Sequence, residues 1–152
     1  MTHRPAPDDG GSAIIEFVFV AVLVMVPLVY LVVAVAGVQR SELAVSQAAR
    51  EAGRAFATSD SAAEAYTRAR AAVHIALDNQ GLPDDAQLRF VPAGASCTGG
   101  ATTSPALAPG AQFTVCVVRT VDMPAVPSVL TGPGVRTVGE YVVHVDDYRV
   151  VS

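Results

Sequence analysis

The sequence predicts an α+β protein: a long N-terminal transmembrane helix running on into a helical stem, a second helix, and a small antiparallel β-sheet. Residues 17–38 (FVFVAVLVMVPLVYLVVAVAGV) contain no formal charge. At ~1.5 Å per residue that run extends roughly 33 Å as a helix, enough for a bilayer core of about 30 Å. Beyond it, apolar residues recur at helical spacing as far as residue 79, and from residue 87 the period shortens to the two-residue alternation of strands.

Composition narrows the function classes. The 152 residues, 51 % of them hydrophobic, allow one modest domain, and less once a membrane segment is subtracted. With 10 basic against 14 acidic residues and a net charge of −4, the chain has no basic footprint for nucleic acid. Every basic residue is Arg. Two cysteines are too few for a zinc ribbon and three scattered histidines suggest no metal cage, so no cofactor is expected.

The elements follow in order. Residues 1–11 (MTHRPAPDDGG) hold Pro, Asp and Gly without an apolar face and read as a short disordered leader. Residues 12–38 form the transmembrane helix. A domain this small has too little surface to bury such a helix on every side, and Pro27 near its middle is a kink that membrane helices tolerate. Residues 39–57 place Ala44, Ala48, Ala52, Ala55 and Phe56 on an apolar stripe, with Ser46, Arg50 and Arg54 on a polar one. No proline separates this stem from the span, so one helix is expected from about residue 12 to about residue 57, weakened but not ended by Gly37 and Gly53.

Residues 58–61 then break the helix. Ser61 and Glu64 have capping-box spacing, Glu64 and Arg68 form an i,i+4 pair, and Gly81-Leu82-Pro83 supplies a stop. The second helix is expected over about 61–79, burying Tyr66, Ala69, Val73 and Leu77. Residues 39–80 thus make the stem and second helix. Residues 81–152 make the β domain, with strands at 87–91, 112–121 and 138–151 separated by a loop at 92–110 and a proline-rich loop at 123–134.

The junction of leader and span carries the chemistry. Gly11 is followed by Ser12-Ala13-Ile14-Ile15-Glu16-Phe17, which puts a carboxylate at the threshold of the apolar run. There it costs about 3 kcal/mol if it enters hydrocarbon. Cutting the chain after Gly11 gives Ser12 a free α-amine, which the Glu16 of a neighbouring subunit can pair inside a bundle of helices, fixing the axial register between subunits. Without that cut, Glu16 only marks the membrane boundary of an anchored helix.

This arrangement resembles the class III signal of type IV pilins and pseudopilins, which a membrane aspartic peptidase cuts after Gly, with Glu at the fifth mature position. Within that group the chain is most similar to the TadE-like family of tight-adherence (Tad/Flp) pilus proteins. The likeness rests on Gly11 to Phe17, the span, and Ala48-Ala49-Arg50-Glu51-Ala52-Gly53-Arg54-Ala55, and covers about residues 10–56. Pro27 stands further from Glu16 than the proline that family members often carry. The resemblance implies a processing site of Gly11, Ser12, Glu16 and Phe17, with Glu16 also the assembly residue. It implies prepilin peptidase, other pilin-like subunits, the Tad secretion machinery and the membrane as partners, with the leader cytoplasmic and the stem and sheet exported.

Three other features bear on this reading. Ala34-Val35-Ala36 before Gly37 fits an ordinary signal-peptidase site, although the apolar region ahead of it exceeds the usual 7–15 residues. Arg40, Arg50 and Arg54 against Arg4 tilt the positive-inside count toward a cytoplasmic C-terminus, against the orientation the resemblance implies. Cys97 and Cys116 favour export, because a bridge between them would staple a small sheet with long loops in an oxidising compartment. Enzyme signals are thin. His144 and Asp146 share a strand face as a hydrogen-bonded pair or two metal ligands, but lack a third ligand, and His3 and His74 read as surface residues. No hydrolase, metalloprotease or phosphate-loop motif occurs, so the chain reads as a non-enzyme. The alternative from a different class is a signal-anchored or released extracytoplasmic binding domain unrelated to pili.

Overall fold

A computed structural model describes residues 10–122, 132 and 134–149. The expected leader up to residue 9, most of the proline-rich loop with Pro124, Pro127 and Pro133, and residues 150–152 lie outside the described residues. Helix α1 runs over Gly10–Ala57 and helix α2 over Ala62–Asp78. Strands β1 (Gln87–Pro92), β2 (Gln112–Val121) and β3 (Val135–His144) form one antiparallel sheet in the order β1-β2-β3. The architecture is therefore α+β, as the periodicities require. The chain divides into two compact units, Met1–Val35 and Ala36–Ser152.

In the first unit α1 is apolar and exposed. The stretch beginning at Ile14 is long and apolar enough to cross a membrane, and none of its most apolar window is buried. Side chains from Ile14 to Val33 that would be buried in a water-soluble core stand open all round the helix. Pro27 lies within α1 without ending it. Such a helix fits a single membrane span or a signal anchor.

The second unit holds the hydrophobic core. Ala44, Val45, Ala48, Ala49, Ala52 and Phe56 of α1 are fully buried, with Ala55 partly so. They pack with Ala65, Ala69, Val73 and Leu77 of α2 and with Phe90, Phe113, Val115, Val117 and Val143 of the sheet. The stripe is almost all alanine for a geometric reason: small side chains let the helix backbone lie close on the sheet. Two glycines complete that contact. A Cβ on Gly53 would lie 2.6 Å from Tyr141 Cδ1 and 2.7 Å from Val143 Cγ2, and one on Gly139 would run into the Val45 carbonyl and stand 2.7 Å from the Ser46 nitrogen.

Phe56 ties the layers together, its ring centroid 5.3 Å from Tyr66, 5.0 Å from Phe90 and 5.1 Å from Phe113. Tyr66 departs from the expected pattern. It is 37 % exposed, and Ala65 takes its place in the core. The buried α2 positions are Ala65, Ala69, Val73, Ala76 and Leu77, a stripe at three- and four-residue spacing, and Tyr66 flanks it by one position. From there its ring edge covers Phe56 and Phe90 while the hydroxyl end stays wet, the usual compromise for this side chain.

Caps close the helices as the sequence requires. The Ser61 hydroxyl accepts from the Glu64 N–H at 3.3 Å, and Glu64 pairs with Arg68 at 3.6 Å. At the end of α1, Arg149 donates to the Ala57 carbonyl at 2.7 Å and to the Ser59 carbonyl, satisfying groups a helix C-terminus leaves open.

Strand β3 begins and ends earlier than the expected 138–151. After His144 the chain makes two more bonds across, Val145 N–H to the Ala111 carbonyl and Gly110 N–H to the Val145 carbonyl, and then turns. Asp146 drives the turn, its carboxylate accepting from the Tyr148 N–H at 2.9 Å. An Asp-Asp pair competes with the ladder for backbone groups, and the local turn wins over continued alternation.

Candidate functional site: the N-terminal helix and the stapled sheet

The expected processing residues all fall on α1. Gly11 and Ser12 lie in its first turn, where the backbone N–H groups have no intrahelical partner, and Glu16 and Phe17 follow one turn on. Helix formation starts at Gly10, slightly earlier than expected. Ser12 and Glu16 stand four positions apart in α1. Glu16 is exposed and has no ion-pair or hydrogen-bond partner among the described residues. It is the only ionisable side chain between the helix start and Tyr30, and the only one with a formal charge before Arg40. Around it Ile14, Ile15, Val18, Phe19 and Val22 form a continuous apolar surface. No family model, curated protein or solved structure matches this chain.

The two cysteines come together. Cys97, in the loop after β1, and Cys116 of β2 lie at disulfide distance with Cα atoms 5.5 Å apart. Both are buried in a small cluster with Val91, flanked by Ala95 and Val138. This cluster covers the face of β2 that the helices do not reach, which is why β2 is buried on both sides from Phe113 to Arg119. A bridge here closes a loop of about twenty residues, worth about 3 kcal/mol in the chain-entropy model. It holds down a loop that also bonds back to β1 through the Thr103 N–H to the Phe90 carbonyl at 2.8 Å.

His144 finds a different partner from the one the strand pattern suggests. Because β3 ends at His144, Asp146 no longer shares its face, and Nε2 instead stands 3.4 Å from Asp147 Oδ2, with Gln112 Nε2 3.2 Å from Nδ1. His74 pairs with Asp84 at 3.4 Å. Both pairs are solvent-exposed, and among the described residues no group of three or more His, Cys, Asp or Glu is placed to hold a metal ion.

Sequence reasoning missed a buried polar knot. Arg119 of β2, 8 % exposed, reaches Asp85 through Nε at 2.5 Å and Nη2 at 3.1 Å, and donates from Nη1 to the Ser41 hydroxyl at 3.3 Å. Ser41 and Thr137 hydroxyls lie 2.8 Å apart, and Thr137 donates back to the Arg119 carbonyl. The knot joins α1, β2, β3 and the segment before β1. Its role is structural: a guanidinium with a bidentate carboxylate satisfies the polar groups where the alanine stripe ends. The one available signal was a lone arginine inside the most apolar strand.

Proposed function

We propose that this chain is a pseudopilin-like protein, a minor pilin or assembly factor of a Tad-type pilus. In this reading prepilin peptidase removes residues 1–11, α1 anchors the chain by a single span, and the stem and sheet lie outside the cell. The protein catalyses nothing; it acts by lateral packing of its helix. The observation that carries the proposal is Glu16, without an ion-pair partner among the described residues on an otherwise apolar helical surface, at the spacing from Gly11 that the pilin-type signal demands. An unpaired carboxylate beside lipid is costly, and a freed Ser12 amine on an adjacent helix offsets that cost only when subunits assemble. The cysteine pair at disulfide distance supports an oxidising location for the sheet.

A second reading has one observation in its favour. The Ala34-Val35-Ala36-Gly37 segment fits signal peptidase. Cutting there would release residues 37–152 as an extracytoplasmic binding domain without an anchor.

Substituting Gly11→Ala separates the two. The pilin reading expects maturation to stop, so the protein recovered from membranes keeps its leader and is heavier by the mass of residues 1–11. Normal processing of that variant would refute cleavage by a prepilin-type peptidase.

A further inference from the structure

A groove of about 640 Å³ runs along the outer edge of β1, between that strand, α2 and the loop segment around Thr103. It belongs to neither the processing site nor the sulfur cluster. Tyr66 and Arg70 of α2 form one wall, and Leu88, Arg89 and Phe90 form the floor. β1 pairs only with β2, so its other side is a sheet edge. In an antiparallel strand both backbone groups of a residue point to the same side, alternating along the chain. The Phe90 carbonyl accepts the Thr103 N–H at 2.8 Å, so Phe90 points away from β2. Leu88, two residues earlier, must turn its N–H and C=O to the same outer side, and neither has a backbone partner there among the described residues.

The loop shows how the edge is used: Thr103 already docks against it beside Phe90, leaving the next slot, at Leu88, open. Charge determines what fits that slot. Arg70 and Arg89 flank it and no carboxylate lines the groove, although acidic residues outnumber basic ones across the chain. Among the described residues neither arginine has an acidic partner; Arg89 donates only to Gln87 Oε1, at 2.8 Å. We propose that this groove receives an extended acidic segment of a partner protein, added as a strand to the open edge of β1. Its backbone pairs with Leu88, and its carboxylates meet the guanidinium groups of Arg70 and Arg89.

The test uses the full chain in detergent micelles and, as probe, a short blocked peptide repeating Val-Val-Glu-Glu, which places carboxylates on both faces of an added strand. Saturating peptide should slow amide hydrogen exchange at Leu88 and leave exposed amides of β3 unchanged. Replacing both arginines, Arg70→Gln with Arg89→Gln, should weaken binding about tenfold, whereas Arg136→Gln, on the opposite edge strand, should not alter it. Equal binding of the matching Val-Val-Lys-Lys peptide would overturn the proposal. So would unchanged Leu88 exchange at saturation, or full affinity in the double variant. Binding of polygalacturonate with no slowing at Leu88 would also overturn it, assigning the groove to an acidic glycan.

Discussion

Gly139→Ala should cost the folded state of residues 36–152 about 3 kcal/mol or more. The added methyl has no rotamer by which to escape, because the atoms it meets are the Val45 carbonyl and the Ser46 nitrogen, both backbone of a helix. Relief requires α1 to lift from β3, which opens the contact of Ala48, Ala49 and Ala52 with the sheet and forfeits burial along the whole stripe. A domain of this size commands only about 5–15 kcal/mol, so the loss is a large share of its stability. Two other glycines on α1 grade the effect. Gly53→Ala meets side-chain atoms of Tyr141 and Val143, which can shift, and should cost less. Gly37→Ala meets nothing within 4 Å and should leave stability unchanged or raise it by up to about 1 kcal/mol through helix propensity. Thermal melts followed by circular dichroism in micelles would rank the three, and equal melting temperatures for Gly37→Ala and Gly139→Ala would refute the close helix–sheet contact.

Glu16→Ala should abolish assembly while leaving the monomer in the membrane. Removing the carboxylate eases insertion by about 3 kcal/mol at most, so the variant partitions at least as well as the parent. On the proposed pilin-like function, what it loses is the partner for a neighbour's α-amine. At ~4 Å and an effective dielectric of ~20, that pair amounts to about 4 kcal/mol, or roughly three orders of magnitude in association. Glu16→Gln should fail similarly, since a neutral amide keeps the shape without the charge. Cross-linking between helices in native membranes, together with counting of surface filaments, reads the result. Undiminished filaments in both variants would remove any assembly role from Glu16.

Much of this fold could be read from residue order because local signals and tertiary packing agree. The unbroken helix to Ala57 follows from alanine spacing and the absence of proline after residue 27, and the start of α2 from the Ser61–Glu64 cap. Departures arise where a local preference competes with a long-range pattern. Asp146 ended β3 by bonding its own backbone, and Tyr66 sat one position off the stripe because its hydroxyl favours water. The Gly139–Val45 contact and the Arg119 knot join residues distant in sequence, and neither glycine nor a single arginine advertises a partner that far away. For the candidate site, the approach of Cys97 to Cys116 was legible. The groove beside β1 was not, since it exists only once α2 and the loop lie against a strand edge.

The intact mass of the protein purified from its native membrane tests most directly whether Glu16 has an amine to meet. A mature chain starting at Ser12, with the mass of residues 12–152 and a bridged cysteine pair, is the expected result. A chain that retains Met1, or one that begins at Gly37, would contradict it.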